Sequence, residues 1–112
     1  MSKQPKEYLK HILDEIEFLL FSSKDINEDK FMYDETLQRA YSRSLEIIGE
    51  ASKKLPNDFK LKYQEIEWKK LAGMRDKIIH HYFGVDYDLI WDVVNSKLPS
   101  VKTEIFKIIN SV

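Results

Sequence analysis

A chain of 112 residues with 43% apolar and 33% charged side chains is long enough for one self-supporting core and too short for a second module, so a single domain over 1–112 is expected. The absence of cysteine excludes disulfides, thiolate metal sites and cysteine nucleophiles. A net charge of -1, from 18 Lys and Arg against 19 Asp and Glu, argues against the uniformly basic surface of a general nucleic-acid binder.

The opening "MSKQPKEYLK" passes straight into charged amphipathic sequence, without the apolar core of a signal peptide. Leu9, Ile12, Leu13, Ile16, Leu19 and Leu20 follow the i, i+3, i+4, i+7 spacing of one apolar helical stripe. Runs such as "FLLF" are too short to cross a bilayer, so no membrane association and a cytoplasmic location are expected. "SSKDINED" interrupts the first helix with breaking and capping residues. A second, longer helix follows through Leu37, Tyr41, Ser44, Leu45, Ile48, Ala51 and Leu55, with Asp34 as its N-cap and Pro56 and Asn57 as its end. Trp68, Leu71, Ile78 and Tyr82 predict a third, closing near Gly84 in a left-handed C-terminal cap. Asp86 opens a fourth, with Leu89, Ile90, Val93 and Val94 facing inward. Pro99 suits the first turn of a fifth, carrying Val101, Ile105, Ile108 and Ile109. With no β-alternating run, glycine-rich phosphate loop or internal repeat, the expected fold is an all-α, up-down bundle of four to five helices.

Charge is unevenly spread along this chain. Residues 13–36 hold eight acids against two bases, whereas 53–77 hold eight bases against four acids. Such a run is either a solvated face or a local positive field that attracts a phosphate-bearing partner. It leads into "MRDKIIHHYF" at 74–83, which gathers Arg75, His80, His81 and Tyr82. Adjacent histidines leave a helix about 100° apart, which rules out the i, i+4 pair of a zinc protease. The Glu-x-x-His pairs of a di-metal bundle, a P-loop and a serine nucleophile elbow are also missing, so no metal site and no cofactor are expected. Metal-free acid–base chemistry by histidine beside a cation remains. Each residue also has a purely structural reading. His80 could be a half-buried hydrogen-bonded side chain, Tyr82 a core aromatic, and Arg75 the partner of an acid on a neighbouring helix.

The same stretch contains R-x4-H-x-Y, with Arg75, His80 and Tyr82 as fixed members. It resembles the signature of the HEPN superfamily, in particular its HepT-like toxins. "RAYSRSLEIIGEASKKL" (39–55) resembles the long helix of these proteins, and "EWKKLAGMRDKIIHHYFGVDYDLIWDVV" (67–94) their motif helix and its continuation. The resemblance implies a helical homodimer acting as a metal-independent endoribonuclease on RNA. Its partner would be a small nucleotidyltransferase antitoxin of the MntA type, which silences it by transferring AMP to Tyr82. Arg75 and His80 would be catalytic, with His81 an auxiliary group. Arg39 and Arg43, at i and i+4 on one helix, either help hold RNA or form surface salt bridges. Two alternatives stay open: a non-catalytic HEPN module binding nucleotide or phosphate, and a plain interaction bundle pairing through "DLIWDVV". One geometric problem accompanies the motif. On a regular helix Arg75 and His80 would stand about 140° apart. Arg75 must then swing round, the helix must loosen before Gly84, or the working pair must come from two protomers.

Overall fold

The computed structural model describes residues 4–80 and 84–111, with His80 described by its backbone alone. It is all-α in architecture, as the periodicity requires. Helix α1 (Pro5–Ser23) starts with proline in its first turn and buries Leu9, Ile12, Ile16 and Leu19. A short α2 (Glu28–Met32) is capped by Asn27, whose side chain accepts the Lys30 N–H at 2.8 Å. It carries Phe31 into the core, where its ring stacks on Tyr41 at 4.9 Å between centroids. Helix α3 (Glu35–Lys54) is capped as expected by Asp34, which accepts the Leu37 N–H at 3.0 Å. Its inner face presents Tyr41, Leu45 and Ile48 to α1. Burying each such side chain contributes roughly 1.5–3 kcal/mol before entropy is counted. The Tyr41 hydroxyl pairs with Ser22 Oγ at 2.8 Å, so the one polar end of this buried ring is satisfied.

After Pro56, a short α4 (Asn57–Lys62) leads to α5 (Trp68–Ala72) and α6 (Met74–Ile78). Trp68, Leu71 and Ile78 are buried, as their spacing predicts. The single third helix reaching Gly84 is not what forms. The chain bends at Gly73, and helical geometry ends at Ile78. Ile79 is already extended (φ -109, ψ 111), and Ile79–His80 (β1) pairs antiparallel with Gly84–Val85 (β2). Two β-branched isoleucines in succession favour this exit from the helix. Gly84 does take positive φ, at 85°, but within this small ladder and not as a helix cap.

Asp86 then caps α7 (Tyr87–Asp92), accepting the Leu89 N–H at 3.0 Å. The fourth and fifth helices are in fact one. From α7 the chain runs through a wide π-type turn (Val93–Lys97) into α8 (Leu98–Ser111) without leaving helical conformation. Pro99 has no N–H to donate one turn back. The wide turn shifts the bonding pattern just before it, with Leu98 N–H reaching Val93 O five residues away. The proline is thereby absorbed and does not start a new helix. Helix α8 lies on α1 and closes the core with Ile105 and Ile108. Among the described residues, no helix is long and apolar enough to cross a membrane.

Candidate active site

The site is built where α3, α6 and the β1–β2 ladder meet. On α6, Met74 and Ile78 lie one turn apart and are buried, which turns Arg75 outward with its side chain 50% exposed. The guanidinium does not hang free. Its Nε lies 3.7 Å from Glu46 Oε2 on α3, and its Nη1 lies 3.6 Å from Asp76 Oδ1. The same Glu46 oxygen is 3.7 Å from Arg43 Nη1, and Arg43 also approaches Glu50 at 3.9 Å. At these separations the contacts are ion pairs rather than hydrogen bonds. Glu46 is the most enclosed member, at 24% exposure, so one carboxylate sits between two arginines from different helices.

The end of α5, from which α6 continues, packs against α3 at Gly49. A Cβ placed there would lie 3.2 Å from the Leu71 carbonyl oxygen and 3.4 Å from that of Ala72. A side chain there would push the α5 backbone away by a few tenths of an ångström. Glu46, one helical turn earlier on α3, comes within reach of Arg75.

The histidine arrives differently. His80 is a strand residue, paired across the ladder with Gly84, while Ile79 is paired with Val85. The Asp86 N–H donates to Ile78 O at 2.7 Å and closes the base of this hairpin. The 140° separation therefore does not apply, because Arg75 lies on a helix that stops before His80. Of the three ways out of that difficulty, the loosened helix is the one this fold adopts. His81 and Tyr82 lie outside the described residues.

Arg39 belongs elsewhere. It is held by Glu35 on its own helix, with Nη2 to Oε1 at 2.7 Å, and both groups are well exposed. Its surface salt-bridge reading is met, and it shares no carboxylate with Arg75. Arg43, by contrast, joins the Arg75 cluster through Glu46. Glu46 is the residue the sequence did not single out. Its only sequence signal is an i, i+3 pairing with Arg43, which many solvated helices carry. The reading of Arg75 as partner to an acid on a neighbouring helix is likewise met. With half of its side chain exposed, the paired guanidinium still presents charge to solvent, where it can meet an incoming phosphate oxygen.

A family model described as "HepT-like: Ribonuclease HepT-like" matches residues 7–108. A protein of Caldanaerobacter subterraneus subsp. tengcongensis, "Putative RNase TTE0752", is 48% identical over 107 residues, covering 96% of each chain. "Probable ribonuclease HepT" of Thermococcus cleftensis is 44% identical over 108 residues, covering 96% of this chain and 98% of its own. "Putative RNase MJ0127" of Methanocaldococcus jannaschii is 44% identical over 110 residues, covering 98% and 91% respectively. No solved structure matches the chain.

Proposed function

The chain belongs to the HepT-like ribonuclease family, and on that premise we propose that it is a metal-independent endoribonuclease, the toxin of a toxin–antitoxin pair. In this reading it works as a homodimer and is silenced by AMP transfer to Tyr82. The observation that carries the catalytic part is Arg75, half-exposed on a helix that ends two residues before His80 and steadied by a carboxylate it shares with Arg43.

The reaction is a transesterification within RNA. A histidine takes the proton of the 2′-hydroxyl, whose oxygen attacks the adjacent phosphorus. The bond to the 5′-oxygen breaks, and that oxygen receives a proton from a second acid, leaving a 2′,3′-cyclic phosphate and a 5′-hydroxyl. His80 can fill either proton role near neutral pH. Arg75 supplies permanent positive charge to the oxygens of the pentacoordinate phosphorus. One Arg–His set provides an acid or a base but not both. A two-fold dimer would bring a second set to the same cleft. Glu46 is a positioning residue here: its carboxylate lies 3.7 Å from the Arg75 Nε and steadies a guanidinium that is half-exposed to the substrate side.

Silencing follows from the same charges. An adenylyl group on Tyr82, two residues beyond His80, adds a phosphate and a base to the edge of the cleft and competes with RNA for Arg75. The test is direct. Wild type, His80→Ala and Tyr82→Phe are expressed with and without the nucleotidyltransferase. The wild type alone is expected to cleave RNA in the presence of chelator, and His80→Ala to cleave none. Co-expression is expected to add one AMP to wild type and none to Tyr82→Phe. A Tyr82→Phe protein that is still silenced by AMP transfer would remove the switch from this position.

A second reading has its own support in the Arg43–Glu46–Arg75 cluster, which suffices to bind a phosphate without cleaving it. That adaptor role predicts that His80→Ala folds and arrests growth as wild type does.

A further inference from the structure

The arginines and lysines of this protein are handled in opposite ways. Arg39, Arg43 and Arg75 each face a carboxylate. Most lysines of the 53–77 run do not. An open groove of about 1090 Å³ lies along α4 and the α5–α6 bend, with Lys60, Lys69, Lys70 and Lys77 on its walls. Its one lining carboxylate, Glu67, is 2.8 Å from Lys70, and that ammonium holds Glu67 below its ordinary value. Lys60, Lys69 and Lys77 form no ion pair among the described residues. The groove therefore carries an uncompensated charge of three. Its floor is firm: Ile66 and Trp68 are buried, and the Trp68 indole donates to Tyr63 O at 2.9 Å, tying the connector to the end of α4.

Lys60 lies on α4, Lys69 on α5 and Lys77 on α6, so the three ammonium groups come from three successive short helices along the groove. Lys77 stands two residues beyond Arg75 on the same short helix. Arg75 is not among the groove's lining residues, and the exposed Asp76 carboxylate stands between it and Lys77 in the chain, so the groove serves the strand flanking the cleaved step rather than the step itself. We propose that this groove is an RNA exosite, which grips the phosphodiester backbone of the strand outside the cleaved step through Lys60, Lys69 and Lys77. The assignment rests on the ribonuclease reading, and it extends that reading from the cleft to the flanking strand. Unlike the arginines, these ammonium groups make point-charge contacts that carry no sequence information, so the grip is sequence-tolerant and salt-sensitive.

The experiment uses a triple variant, Lys60→Gln, Lys69→Gln and Lys77→Gln, beside a control of equal charge change, Lys6→Gln, Lys10→Gln and Lys102→Gln. The probe is a fluorescent single-stranded RNA with 2′-O-methyl sugars throughout, which has no 2′-hydroxyl and cannot be cut. Affinity is followed across salt concentration. Removing three contacts is expected to flatten the slope of log K against log salt by about 2 and to weaken binding at moderate salt by roughly tenfold or more. The control is expected to bind as wild type does. Cleavage of a dinucleoside monophosphate, too short to enter the groove, is expected to be unchanged in the triple variant. Equal slopes for triple variant and control overturn the exosite, even if the protein is a nuclease. So does a triple variant that keeps its RNA slope but loses the co-expressed nucleotidyltransferase, which would make the groove a protein-docking face. A wild type that binds the probe through the groove yet cuts no RNA leaves the exosite standing and defeats the catalytic reading.

Discussion

Two regions of this molecule are built on different rules. The framework of α1, α3 and α8 uses long helices whose apolar stripes face each other, and Ile12, Ile16, Leu45, Ile48 and Ile105 are fully enclosed. The stretch from Gly73 to Asp86 is made of pieces: a five-residue helix, a two-residue strand pair and a residue at positive φ. The first region gains stability from continuous periodicity. The second gives up that periodicity and places Arg75 on a short helix and the His80 backbone on a strand. If the proposed chemistry resides in the second region, stability and activity are carried by separate segments of one small chain, and substitutions should tell them apart.

The largest effect belongs to the framework. Ile48→Ala opens a cavity between α3 and its neighbours and is expected to cost about 2–5 kcal/mol, read as a lowered denaturant midpoint. Activity per folded molecule should be unchanged. Next comes Arg75→Ala, expected to lower the cleavage rate by roughly 10²–10³ while the melting temperature stays near wild type, because the side chain is half in water. If Arg75→Ala unfolds the protein instead, the division between the two regions is wrong. Glu46→Gln sharpens the point: it keeps the volume and removes the charge shared by Arg43 and Arg75. A rate loss smaller than that of Arg75→Ala, seen in kcat more than KM, would mark it as positioning. Asp86→Ala removes the side-chain cap of α7, which accepts the Leu89 N–H, and is expected to cost about 1 kcal/mol, with Asp86→Asn restoring most of it.

The smallest effect is one of pH. The Leu37 N–H first, then Lys30, hold the Asp34 carboxyl below its ordinary value of 3.8. A carboxylate whose pKa is depressed on folding adds stability above its unfolded value and loses it as pH falls through the folded one. Melting curves of wild type and Asp34→Asn are therefore expected to differ at neutral pH and to converge in acid below that ordinary value.

Much of the fold was legible because burial follows period. The stripes of α1 and α3, the Asp34 and Asp86 caps and the buried Trp68, Leu71 and Ile78 all come from spacing and local hydrogen bonding, which a sequence displays directly. The third helix was misread for a related reason. Ile78 and Tyr82 fit the helical stripe, and period alone does not reveal that two adjacent isoleucines and a distant Gly84 will favour a strand pair. The proline at 99 misled in the other direction, since a start signal for a helix is also tolerated inside one when a wide turn takes up the missing N–H. Family membership was legible too, from R-x4-H-x-Y and its two flanking blocks.

By itself, then, the sequence determined an all-α core and the Asp34 and Asp86 caps that start two of its helices, and it named Arg75 and His80 as the pair to test. Only the tertiary structure decided that Glu46 stands between Arg43 and Arg75, that the motif helix ends at Ile78, and that the lysines of α4 to α6 line one groove. The physical reason is range. Caps and stripes are set by residues within a turn or two of each other. A shared carboxylate or a common groove depends on how elements distant in sequence pack, as α3 and α5 do at Gly49, where a Cβ would lie 3.2 Å from the Leu71 carbonyl oxygen.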